Sequence, residues 1–298
     1  MGAMTTPHPP RADPAPEDLF SLAALRRAWR LVRRSGPSAG TDGVTVARFE
    51  CSLDAELNRL RQEMLDGTYR PQPVSRFYML KPSGKRRPLT VWTVRDRIAQ
   101  RVILDYLTPV LERVFLDCSF GFRPGRSVPE AVQAVIRARD ANQRWVVDAD
   151  IASCFDSIPL DLLMVQVRAA IPSPLAVRLV EQWIHTPVHK QPRARAGVSQ
   201  GGVISPPLAN LYLHRFDQMM LVALPETPLV RFADDFILLS RSKDEARWAL
   251  SVARRSLRNL RLALNMDKTH IVHFAEGFTF LGVTFHNNQV GILPPKES

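Results

Sequence analysis

Two adjacent aspartates, Asp234 and Asp235, split an apolar run in VRFADDFILLS, and this break constrains the fold more than any other feature of the chain. The run reads as a pair of strands around the acidic step. Taken alone, acids at such a tip make a solvated turn. A second acidic strand end lies upstream in VVDADIASCFD. There Asp150 follows Val146 and Val147 and precedes Ile151, with Asp148 and Asp156 nearby. Carboxylates from separate strands repel one another if they converge, and a cation makes that tolerable. Two Mg²⁺ ions about 3.5–4 Å apart clamp the attacking and leaving oxygens of a phosphoryl transfer in this way. Carboxylate oxygens suit that hard ion. Spacing alone does not bring the two segments together.

Around these segments the periodicity is mixed. LFSLAALRRAWRLVRR and Leu53–Leu65 carry apolar residues at helical spacing, separated by the breaker SGPSAGTDG. Residues 74–81 and PLTVW read as two strands of a hairpin with the basic tip PSGKRRP. Residues 94–115 are helical with a break expected at Pro109, and VPEAVQAVIRARDA is a further helix. Residues 160–185 are mostly helical, SPPLANLYLHRFDQMML follows as a long helix, and residues 243–264 form another. FTFLGVTFHNNQVGIL closes the pattern as a hairpin. Strands and helices do not alternate strictly, so the class is α+β rather than a doubly wound parallel sheet.

The formal net charge is +11, from 40 Lys and Arg against 29 Asp and Glu, which calls for a polyanionic partner. Arginine predominates, and its planar fork suits phosphate and base stacking, so nucleic acid is the expected polyanion. Cys51, Cys118 and Cys154 are far apart with no ligand-like spacing, which argues for reduced thiols in the cytoplasm and against structural zinc. No apolar stretch suits a membrane span, and no leader argues for secretion.

Several segments together resemble the reverse transcriptases of the group II intron type. FADD is similar to their YADD box, DIASCFDSI to DIKGFFDNI, and AGVSQGGVISPPLANLYLHRFD to their PQGGxxSPLLANIYLxxLD segment. FGFRPGRS, RPLTVWTVRDRIAQ, AGTDGVTVARFE, LNMDKTHIVHF and FTFLGVTF resemble further segments of that group, in the same order over residues 19–285. The resemblance implies a right-hand polymerase with an antiparallel palm sheet and packed helices. It divides the chain into a disordered Pro-rich tail (1–18), fingers (19–125), palm (126–157), a fingers return (158–204) and the rest of the palm (205–298).

By the same resemblance Asp150, Asp234 and Asp235 would bind two Mg²⁺ ions, with Mn²⁺ able to substitute. Phe155 would be the steric gate beneath the sugar, and Lys81 and Arg87 would hold the incoming dNTP triphosphate. Gln200 would line the nucleotide pocket, and Lys268 would serve as a late acid or phosphate contact. Arg123 and Arg126 would touch nucleic acid. The implied partners are an RNA template and a DNA or RNA primer. The chain departs from the pattern at Phe232, where the box has tyrosine, and at Ser199, where proline precedes Gln200. With the sequence ending at Ser298, the resemblance leads us to expect no thumb within it; the expectations are a thumb from another chain, a CRISPR-associated role in defence beside the Cas1 integrase, the polymerase domain of a larger intron-encoded or Cas1-linked protein, or a catalytically idle RNA-binding subunit.

Overall fold

The computed structural model describes residues 14–80, 86–189 and 196–292. The chain begins with α1 (Pro16–Leu19), α2 (Leu22–Arg34), α3 (Val46–Cys51) and α4 (Leu53–Leu65), followed by the hairpin β1 (Ser75–Leu80) and β2 (Arg86–Val91). Next come α5 (Val94–Glu112), α6 (Val128–Asp140), β3 (Trp145–Asp150), α7 (Cys154–Ser157), α8 (Leu160–Ala170) and α9 (Pro174–Ile184). The remainder is α10 (Ser205–Ala223), β4 (Leu229–Phe232), β5 (Asp235–Ser240), α11 (Lys243–Asn259), β6 (His270–His273), β7 (Phe278–Phe280), β8 (Val283–His286) and β9 (Gln289–Ile292).

Local chemistry sets the helix boundaries. In α2 the Ser21 hydroxyl accepts from the Ala24 N–H, Ala24, Leu25, Ala28, Trp29 and Val32 form the buried stripe, and Arg33 and Arg34 sit at the negative end of the dipole. Thr93 caps α5 by accepting from the Asp96 N–H. The buried Asp96 carboxylate in turn accepts from the hydroxyls of Thr93 (2.8 Å) and Tyr69 (2.6 Å).

Three readings from sequence are corrected here. Order begins earlier than residue 19, because Pro16 is pre-set for a first helical turn and Leu19 and Phe20 bury beside it. Pro109 does not break α5: it falls in the last turn, where few carbonyls lose a donor, and the Thr108 hydroxyl donates to the Leu104 carbonyl at 2.7 Å. Helix α11 stops at Asn259, short of 264. Arg261 adopts a left-handed φ of 53° and the Leu262 N–H returns to the Leu257 carbonyl at 2.9 Å. That is a Schellman stop made without the usual glycine, so the apolar pattern ran past it.

The central sheet has the order β4-β5-β3-β6 and is antiparallel throughout. Each face is buried by different partners. Val147 and Ala149 of β3 share a core with Ala246, Ala249 and Ala253 of α11 and with Leu208 and Phe216 of α10. Val146, Ile237 and Leu239 join a second core with Ala131 and Val135 of α6 and Phe280 and Phe285 of the last sheet. That last sheet is a three-stranded meander, β7-β8-β9, rather than one hairpin, because Leu281–Gly282 and Asn287–Asn288 both turn within two residues.

Candidate active site

The two acidic segments meet. Asp150, the last residue of β3, stands directly opposite Asp235, the first of β5. Phe232 pairs with Asp235 across β4 and β5, so Ala233 and Asp234 alone make the connecting turn. A two-residue hairpin turn wants positive φ, and Ala233 supplies it at 58°, a conformation that costs a non-glycine residue about 1–2 kcal/mol. The Ile151 N–H donates to the Asp234 carbonyl at 3.2 Å and ties the turn to the end of β3.

This strained turn is held from below by a buried network that the sequence pattern did not reveal. Arg231 and Asp217 are both fully buried. The Arg231 guanidinium donates to both Asp217 oxygens (2.7 and 2.6 Å), to Asn210 Oδ1 (2.9 Å), to Ser119 Oγ (2.8 Å) and to the Ala233 carbonyl (2.9 Å). Asn210 Nδ2 also donates to the Gly121 carbonyl at 2.6 Å. Gly121 lies so close that an added Cβ would sit 2.6 Å from the Ala233 nitrogen. The available signal was spacing: Asn210 and Asp217 are seven residues apart and so share one face of α10.

Asp150 is clamped from the loop after α11. The Asn265 N–H donates to its carbonyl at 2.8 Å, Asn265 Nδ2 donates to Oδ2 at 3.0 Å, and Lys268 Nζ lies 3.1 Å from the same oxygen. Asp235 is exposed at its rim but mostly surrounded by protein. Burial, a hydrogen bond with Asp150 and the charge of Asp234 push its carboxyl up to about 7. Among the described residues no three acidic, imidazole or thiol groups close into a ready-made cage. The aspartates instead line one edge, as oxygen donors whose mutual repulsion is only partly offset by Lys268. That donor set suits a hard divalent cation.

The other expected residues divide. Phe155 is half-buried in α7, two residues after Ser153 with its φ of 45°, and its carbonyl accepts from the Val198 N–H at 2.7 Å. Gln200 bridges two parts of the molecule. Its side chain donates to Asp156 at 3.1 Å, and its carbonyl accepts from the N–H and hydroxyl of Thr90 in β2 at 2.6 and 2.7 Å. Gly201 permits that approach, since a Cβ there would lie 2.4 Å from the Thr90 carbonyl oxygen. Arg123 is turned inward, bonded to Glu112 and to the carbonyls of Leu116 and Ser119, so it holds its loop and presents no free cation. Arg126 is half-exposed, paired with Asp117 and lying over the Phe120 ring. Lys81 lies outside the described residues, as does the side chain of Arg87, whose backbone stands opposite Met79 in the β1–β2 hairpin.

This geometry, paired carboxylates at the end of an antiparallel sheet with helices behind it, defines a right-hand polymerase. Telomerase from Candida albicans superposes on it with a TM-score of 0.60 at 12% identity, over 85% of this chain and 51% of that one, which speaks to the fold alone. A family model for reverse transcriptase (RNA-dependent DNA polymerase) matches residues 79–285. The chain is 35% identical to protein YkfC of Escherichia coli (strain K12), over 85% of this chain and 77% of YkfC. It is 27% identical to the group II intron-encoded protein LtrA of Lactococcus lactis subsp. cremoris, over 87% of this chain but only 54% of LtrA. The chain therefore belongs to the reverse transcriptase family, the RNA-directed DNA polymerases, and is of the group II intron type. Members of the family work with divalent metal ions. No helix among the described residues is long and apolar enough to cross a membrane.

Proposed function

We propose that the chain extends a DNA or RNA primer on an RNA template, and that Asp150, Asp234 and Asp235 are its catalytic carboxylates. The observation that carries this assignment is the register of Asp150 against Asp235 with Asp234 in the adjoining turn. Two Mg²⁺ ions held by these side chains, or Mn²⁺ in their place, would supply the charge that activates the primer 3′-hydroxyl and supports the departing pyrophosphate. Asn265 orients Asp150 by fixing one carboxylate oxygen. Lys268, 60% exposed and ion-paired with Asp150, would neutralise the site and give a proton to the leaving group. Phe155 stands in α7 just beyond β3 and would exclude a 2′-hydroxyl by its ring. Gln200, anchored to Thr90, forms one wall of the nucleotide pocket, and Lys81 and Arg87 at the hairpin would hold the triphosphate.

The division into fingers (19–125 and 158–204) and palm (126–157 and 205–298) belongs to this reading, supported by the antiparallel sheet and its two cores. The sparse, unpaired cysteines support a cytoplasmic location. A partner supplying a thumb, or Cas1, rests on the resemblance alone. Primer extension on an RNA template with dNTPs and Mg²⁺ tests the proposal. We expect synthesis to be lost in Asp234→Ala/Asp235→Ala with the fold intact, and extension at the wild-type rate in that variant would refute the assignment.

A further inference from the structure

Helix α11 presents two unlike faces. Its inner face is alanine-rich and buries against the sheet. Because side chains alternate along β3, Asp148 and Asp150 share the side of Val146, whereas Val147 and Ala149 meet α11. The helix thus lies behind the sheet, and its outer face points away from the carboxylates.

That outer face is basic and carries an exposed ring. From Ala246 to Met266 the chain contains five arginines and no carboxylate. Arg247, Arg254, Arg255 and Arg258 all lie exposed on one side of the helix. Arg247 pairs with Asp244, while Arg254, Arg255 and Arg258 have no carboxylate partner among the described residues. In their midst Trp248 is 56% exposed, whereas Trp29, Trp92 and Trp183 are 3% exposed or less. Met266, 54% exposed, adjoins this surface, with Arg254 Nη2 at 3.2 Å from its sulfur. This runs toward the Asn265–Lys268 loop that clamps Asp150.

We propose that this face binds single-stranded RNA as a second site outside the cleft, with these three guanidiniums on phosphates and a base on the Trp248 indole. Guanidiniums that have no carboxylate to hold are free to displace counter-ions from a phosphate backbone, and an exposed ring among them is a stacking platform. The site rests on the reading of the cleft only for the class of its ligand. It would anchor template beyond the reach of the cleft.

The test compares wild type with Arg254→Ser/Arg255→Ser/Arg258→Ser and with Trp248→Phe, all surface changes. The ligands are a long single-stranded RNA and a short primer–template duplex that fills only the cleft. With the cleft saturated by the short duplex, long RNA should still quench tryptophan emission in wild type and fail to do so in Trp248→Phe. The triple variant should bind long RNA at least about tenfold more weakly at low salt, and its salt slope should shrink by about two, at about 0.7 for each phosphate that is no longer neutralised. It should extend the short duplex as wild type does. Unchanged affinity and slope would overturn the proposal. Polyglutamate competing as well as RNA at equal charge would also overturn it and favour an acidic protein partner. A chain that binds long RNA through α11 but never extends the short duplex would refute the polymerase reading and leave this one standing.

Discussion

Removing the Asp217 carboxylate should damage both stability and synthesis, and the two effects can be separated. Arg231 and Asp217 are fully buried and joined by two hydrogen bonds of 2.7 and 2.6 Å. Asp217→Ala leaves a guanidinium in the core with only neutral acceptors, and breaking a buried pair from one side costs about 3–5 kcal/mol. Arg231→Met leaves the opposite charge uncompensated and should cost a similar amount. The double variant Arg231→Met/Asp217→Leu removes both charges, so much of that stability should return. Synthesis should not return with it. The Ala233 carbonyl still lacks the Arg231 donor at 2.9 Å, and Asn210 and Ser119 lose theirs, so the strained turn that presents Asp234 is no longer held. Urea unfolding gives the stability cycle, and primer extension across a range of Mg²⁺ concentrations gives the activity. A double variant that regains both would refute a positioning role and reduce the network to an ion pair. An Asp217→Ala cost below about 1 kcal/mol would refute the energetic reasoning itself.

Other outcomes follow from the same geometry. Gly121→Ala should press a methyl group against the backbone of Ala233, 2.6 Å away, and lower extension at least about tenfold at a stability cost of about 1–3 kcal/mol; wild-type kinetics would show that the loop yields freely. Phe155→Val should raise ribonucleotide incorporation, read from matched dNTP and rNTP extension, while keeping the backbone bond to Val198. Because the folded Asp235 carboxyl holds its proton up to about 7, above the ordinary carboxylate range, its contribution to metal-free stability is greatest at acid pH and is lost as pH rises through about 7. Added Mg²⁺ should therefore stabilise the protein more at pH 8 than at pH 5 in thermal melts, since the ion must displace that proton at the lower value; equal stabilisation at both would place the titration elsewhere. Thr90→Val should weaken dNTP binding by freeing the Gln200 carbonyl from its hydroxyl partner, and an unchanged KM would separate the two residues.

Much of this site was legible in the chain because its signals are local. The acidic step in VRFADDFILLS had to be a strand break, and β4 and β5 end and begin on either side of Ala233–Asp234. Helix α4 follows its apolar period to the residue, and α2 ends where its period does. The helix end at Asn259 was not legible, because Arg261 takes a left-handed conformation that composition does not announce. Nor was the inward turn of Arg123, since an arginine in a Gly/Pro loop looks the same in sequence whether it faces phosphate or Glu112.

The sequence by itself determined which residue types were available for the chemistry: three aspartates at strand ends, an aromatic five positions after Asp150, and an excess of arginine suited to nucleic acid. Only the tertiary structure decided which of them meet. Asp150 and Asp235 are 85 residues apart in the chain and become neighbours through strand register, which the burial of both sheet faces enforces. Arg231 reads as one more polar residue in a strand. It becomes the support of the turn that carries Asp234 because Asp217, Asn210 and Ser119 converge on it from two other parts of the chain, inside a core where an unpaired charge would be costly.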